Sequence, residues 1–216
     1  MKNKIFFSII AILIIIAVRI SLDTKASFED DLSIDNIDKH YDYSVRLHTD
    51  ILENPYFENS LVDFEELVDS SELVVKAKMN KSREKVAQAT LTEIHVEEVL
   101  KGRIQTNEIL LYEPAYFWPY ATGGYQLMQE GDEYILFLQS LKGPKEYKLS
   151  EEEKKSYLPV SELYGKIPIK SNWTPAVIAD DDVAYREVVN NDILTREKDL
   201  LLNYIKIKKI VEEKYQ

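Results

Sequence analysis

Apolar positions along the chain follow two periods, one of strands and one of helices. In YDYSVRL (41–47), Tyr41, Tyr43, Val45 and Leu47 alternate as on a strand, though Tyr41 and Val45 also stand four apart as on a helix. Asn54-Pro55 stops that segment. In LVDFEELVDSSELVVKAKM (61–79), Asp63 is placed to cap a short helix running to about Asp69, with Glu65 and Glu66 in its first turn. Glu72 to Met79 follows as a strand, with Val74 and Val75 supplying β-branched character. The stretch VAQATLTEIHVEEVLKG (86–102) predicts the longest strand. Its apolar phase changes near Thr92, and again between Val96 and Val99, as a β-bulge would cause. Strands are also predicted at NEILLYEP, closed by Pro114, and at GDEYILFLQS after a turn at Gly131-Asp132. KEYKLS and the alternating KIPIK read as shorter ones. From Asp182 onward the pattern turns helical, and Leu200, Tyr204, Ile207 and Val211 predict one helix from Thr195 to about Glu213.

The amino terminus differs from all of this. Ile5 to Val18 is an unbroken apolar run behind Lys2 and Lys4, roughly 21 Å long as a helix. Continued to Leu22, with Arg19 reaching for the interface, it approaches spanning length. It reads as a signal anchor with its amino terminus inside, or as a signal peptide cut near Thr24-Lys25-Ala26. Either form places the rest of the chain outside the cytoplasm. The expected organisation is residues 1–22 as anchor or signal, 23–60 as an acidic spacer and entry segment, 61–175 as a β-barrel domain, and 176–216 as a C-terminal helical segment.

Three phrases, ELVVKAKM, TEIHVEEVLKG and GDEYILFL, resemble in order the pattern of a group of exported bacterial proteins of Gram-positive type. The resemblance covers about residues 67–140. It implies a small closed β-barrel of the OB-like, tissue-inhibitor (netrin-like) kind. Animal members of that barrel class use an amino-terminal cysteine on a protease zinc; this chain has no cysteine, so that mechanism is not carried over. The residues themselves point to the same class: mainly β with flanking helices (α+β), a small OB-like barrel, an N-terminal helix and a C-terminal one.

Charge narrows the partners. The net charge is −11, and −14 once Lys2, Lys4 and Arg19 are set aside, which opposes a phosphate backbone and argues against nucleic acid. The absence of cysteine excludes disulfides and thiolate chemistry. No GxSxG and no phosphate-cradling glycine loop occurs. His95 stands between Glu93 and Glu97 on one strand face, a weak divalent-metal pattern that reads better as a solvated face. The acid runs 29–31, 151–153 and 180–182 lack the calcium-loop pattern, and the last is placed to cap the helix after it. No catalytic residue, metal site or cofactor is expected.

What remains is YEPAYFWPYATGGY (112–125), with six aromatics in fourteen positions. It is either packing that plugs one end of a barrel or a recognition surface. Tyr116, Trp118, Tyr120 and Tyr125 are the candidate binding residues. The expected function is a non-catalytic binding module at the cell envelope, membrane-attached through residues 5–22, with an envelope protein, peptide or glycan as partner. The alternatives are a wall-polymer hydrolase with paired carboxylates and a structural envelope protein.

Overall fold

The computed structural model describes residues 44–47, 56–58, 60, 61, 63–86, 89–114, 120, 121, 124–143, 146–169, 174–177, 183–188 and 190–215. The predicted N-terminal helix and the spacer up to Tyr43 lie outside these residues. Among the described residues no helix is long and apolar enough to cross a membrane. Residues 41–216 form one unit.

Its elements are β1 (Ser44–Leu47), α1 (Phe64–Ser70), β2 (Leu73–Val86), β3 (Ala89–Lys101), β4 (Glu108–Glu113), β5 (Tyr120–Ala121), β6 (Glu133–Ser140), β7 (Ser156–Pro159), β8 (Lys166–Ile169), β9 (Thr174–Val177), β10 (Val183–Ala184), α2 (Tyr185–Val188), β11 (Asn191–Thr195) and α3 (Lys198–Tyr215). The main sheet runs β2-β3-β4-β7-β6, and β6 pairs back to β2, so five strands close into a barrel. Only β4 and β7 run parallel within it. Beyond β7, β8 continues along the same edge of β6.

The near-continuous apolar runs at Leu73–Val75 of β2 and Tyr134–Leu138 of β6 have a simple cause: there both strands are buried on both faces. Leu73, Val75, Ala77, Tyr134, Leu136 and Leu138 point into the barrel with Ile94, Val96, Ile109 and Leu111. Val74, Ile135 and Phe137 point out, into a second cluster with Phe64 and Leu67 of α1 and Tyr204, Ile207 and Val211 of α3. The C-terminal helix therefore completes a core against the outside of the barrel, with its apolar stripe where the three-and-four spacing put it. Asp63 caps α1, its carboxylate accepting from the Glu66 amide at 2.9 Å.

Several expectations need correction. The apparent phase change near Thr92 is none: Thr90, Thr92, Ile94 and Val96 all face inward, and the two threonines are buried because the interior there is polar. The second expected change, between Val96 and Val99, is present as an irregularity at the other end of β3. Pairing shifts at Val74/Val75 and Lys76/Ala77 leave an extra β3 residue each time, which turns Val99 outward. A further shift between Met79 and Arg83 places extra residues on β2. The described residues of KEYKLS are not a strand, and residues after Asp182 form β10, the short α2 and β11 before α3 begins. β11 escapes the helical reading because it pairs in parallel with β9, a long-range contact that local periodicity does not report.

Truncating Ile207 to alanine should cost about 2–5 kcal/mol in a denaturant titration, as for a buried aliphatic. The neighbouring exposed Ile205→Ala should stay within about 0.5 kcal/mol. Equal effects would mean that α3 does not dock by this stripe.

Candidate functional site

The aromatic stretch begins at the end of β4, and the strand's alternation points Ile109, Leu111 and Glu113 inward. Glu113 is thus a carboxylate delivered to the interior with no exposed surface. Its donors come from four places. Arg83 of β2 donates at 3.0 Å and Thr92 of β3 makes a very short bond to the same oxygen. The Met128 amide donates to the other oxygen at 2.8 Å, and the Tyr125 hydroxyl at 3.2 Å. Arg83 also donates to the Met128 carbonyl. A buried charge is tolerated only when paired and hydrogen-bonded; here Arg83 of β2 supplies the pairing charge, and Thr92 of β3, the Tyr125 hydroxyl and the Met128 amide supply the further bonds.

Residues 124–128 are buried as a consequence. Gly124, at φ +77, lies so close to the Leu194 carbonyl that a Cβ would sit 1.7 Å from its oxygen, so only glycine fits. Tyr125 bridges to Ile193 of β11, and β5 pairs in parallel with β1, Tyr120 opposite Arg46.

Lys166 of β8 lies beside this network, fully buried, its ammonium 5.0 Å from the Tyr125 ring and 5.1 Å from the Tyr134 ring. Burial pulls its pKa down to about 8, with the charges of Glu113 and Asp192 holding it from falling further. Asp192, also buried, accepts from Lys208 of α3 at 2.6 Å. Burial drives the phenols of Tyr125, Tyr134 and Tyr204 well upward, and Glu113 adds to the rise at Tyr125, as Asp192 does at Tyr204. The interior thus holds Arg83, Lys166 and Lys208 against Glu113 and Asp192, with Asp132 half-buried nearby.

Of the four predicted binding residues, Tyr116 and Trp118 lie outside the described residues, and so does the side chain of Tyr120. Tyr125 is corrected: it is 2 % exposed and spends its hydroxyl on Glu113, so it is a packing residue and not a surface anchor. Glu93, His95 and Glu97 do not converge. His95 turns to Glu108 at 2.6 Å and Glu97 to Lys78 at 2.6 Å, on a solvated face where Glu133 also takes Lys76 and Lys78. Among the described residues no group of three or more histidines and acids is placed to hold a metal. Glu151 pairs with Lys154, while Glu153 accepts from Ser150 and Tyr147; the runs 29–31 and 180–182 lie outside the described residues.

One open groove of about 270 Å³ lies at an end of the barrel, between the β3–β4 turn and the segment leading into β7. The residues that line it, Arg103, Lys155 and Tyr157 among them, carried no motif, since they are brought together by the parallel pairing of β4 with β7.

Comparison with protein-family models, with curated proteins and with solved structures found no match.

The pH dependence of stability follows from the direction of these shifts. Lys166 titrates lower in the folded chain than in the unfolded one, so its burial penalty is fully present below pH 8 and relieved as pH rises toward about 10.4. The raised tyrosines act in the opposite sense: above about pH 10 the unfolded chain ionises them and the folded chain does not, so stability falls. A denaturation series should therefore rise from pH 8 and fall beyond about 10. Lys166→Met should remove the rise and keep the fall; an unchanged profile would show that Lys166 is not the group responsible.

Proposed function

We propose that this chain is an extracytoplasmic binding module of the cell envelope, attached through residues 5–22 and recognising its partner with the aromatic stretch. The barrel is of the OB-like, netrin-like kind found in exported bacterial proteins. Support for that kinship comes from the closed order β2-β3-β4-β7-β6, with one parallel pair between its third and fifth strands. OB barrels use the faces and loops of such a sheet to hold oligosaccharides and other polymers.

The observation that carries the reading is the Glu113 anchor. Its carboxylate ties the last residue of β4 to Tyr125 and Met128, so the two ends of residues 114–124 are held together on the rigid barrel. Connecting segments set on a rigid scaffold frequently carry function. The sequence between the two ends carries Tyr116, Phe117 and Trp118, three rings of the type that anchor recognition surfaces. A module of this kind needs no cofactor; its partner is an envelope protein, peptide or glycan.

Replacing Trp118 with a photo-cross-linking residue in intact cells tests the proposal. A discrete adduct is expected, weakened in a Glu113→Gln background that remains folded. In parallel, Trp118→Ala should change stability by no more than about 0.5 kcal/mol. A loss of about 3–5 kcal/mol, as for a buried aromatic, together with no adduct, would make the stretch a piece of core and sink the reading.

A further inference from the structure

The groove at the far side of the β3–β4 turn is a built feature. One wall is the turn itself. Gly102, at φ +90, packs so that a Cβ would meet the Glu72 carbonyl oxygen at 2.5 Å, and Lys101 reaches the Val68 carbonyl at 2.6 Å. Thr106 closes the turn, donating to the Glu108 carbonyl at 2.6 Å and accepting from the Glu108 amide at 3.2 Å. The opposite wall is equally fixed. Ser150 and Glu153 bond each other's amides reciprocally at 3.1 and 2.7 Å, Tyr147 donates to Glu153 at 2.7 Å, and Ser156 donates to the Glu152 carbonyl at 3.0 Å. Walls held this way lose little freedom when a ligand arrives.

The lining is chemically mixed. Ile104, the buried Ile109 and the half-buried Tyr157 supply apolar surface. Arg103 and Lys155, both exposed, make no ion pair within the described residues, in a protein whose net charge is −11. Lys154 is already held by Glu151 at 2.5 Å, and Glu108 by His95 and Asn80, each at 2.6 Å. With neither so paired, the lining offers two cations to an anionic group, and Lys155 is also within electrostatic reach of Glu151. Glu108 and Glu151 at the same lining would repel a second phosphate, which disfavours a dense polyanion, but they accept readily from hydroxyls. Drug-sized pockets run roughly 300–1,000 Å³, so this one suits a single ring and its substituent.

We infer that the groove binds a sugar unit carrying one anionic group. Arg103 and Lys155 take the anion, Tyr157 and Ile104 face the ring, and Glu108, Glu151 and Thr106 meet the hydroxyls. This rests on the reading of the chain as a binding module, but not on the aromatic stretch. The anion is a carboxylate or a phosphate, and the groove's two cations accept either.

Saturation-transfer NMR on the full chain in detergent decides it, with glucuronate, glucose 6-phosphate and glucose as observed probes and inorganic phosphate, which has no carbon-bound protons, as a competitor against glucose 6-phosphate. One or both anionic sugars should bind, with glucose and inorganic phosphate roughly tenfold weaker. Glucuronate alone would identify a carboxylate, and glucose 6-phosphate alone a phosphate. Arg103→Glu with Lys155→Glu should abolish the signal, and Arg103→Gln with Lys155→Gln should weaken it, neither altering the thermal midpoint. Inorganic phosphate binding as well as glucose 6-phosphate, or signals unchanged in both variants, would overturn the proposal. The cross-linking adduct at residue 118 is read separately, so a silent groove with an intact adduct removes this inference and leaves the binding module standing.

Discussion

A carboxylate shut away from water must find its donors inside the protein, and Glu113 finds them on β2, β3 and the segment that follows β5. Removing Arg83 leaves the charge uncompensated in a medium that solvates it poorly, and removing a neutral donor leaves part of the carboxylate unsatisfied. The arrangement therefore ties elements far apart in sequence: Arg83 precedes Glu113 by thirty residues, and Met128 follows by fifteen. It also explains features that otherwise look like faults in the strand pattern. Thr90 and Thr92 take inward positions where aliphatic residues would be expected, because that part of the barrel is lined for an ion pair.

Around this centre the molecule has two apolar compartments separated by the shared strands β2 and β6. Alternate residues of the same strand serve both, Val75 inside and Val74 outside, Leu136 inside and Phe137 outside. The outer compartment is closed by α1 and α3 together with Val160, Leu163, Tyr164, Ile167 and Ile193. The arrangement couples helix to barrel through side chains on a single strand, so loosening of α3 is felt at Val74 and Phe137. Lys166 and the Asp192–Lys208 pair extend the coupling to the polar centre, linking β8, β11 and α3.

The two functional proposals divide along the same lines. The aromatic stretch is anchored from within, by Glu113, whereas the groove is shaped from without, by turns whose polar side chains bond their own backbone. Charge separates them as well. The broad outer face of β2, β3 and β6 sets its charges in pairs such as Lys78–Glu97 and Lys76–Glu133, while Arg103 and Lys155 at the groove make no ion pair among the described residues.

Local periodicity by itself determined α1 and its Asp63 cap, the first half of β2, the strands β3, β4 and β6, and the stripe of α3, because each rests on residues within a turn or two of one another. Those predictions, with the turns at Gly102 and Gly131, amount to a mainly β chain ending in a helix. Only the tertiary structure decided that the strands close, since β2–β6 and β4–β7 pairing joins segments remote in sequence. It also decided which polar residues are interior: nothing near Glu113 or Lys166 distinguishes them from surface charges until their partners arrive. Tyr125 sat among candidate surface rings for the same reason, and the strand at Asn191–Thr195 passed for helix because its parallel partner β9 is a separate segment earlier in the chain. Side-chain period is a property of one segment, whereas burial and charge pairing belong to the assembled fold.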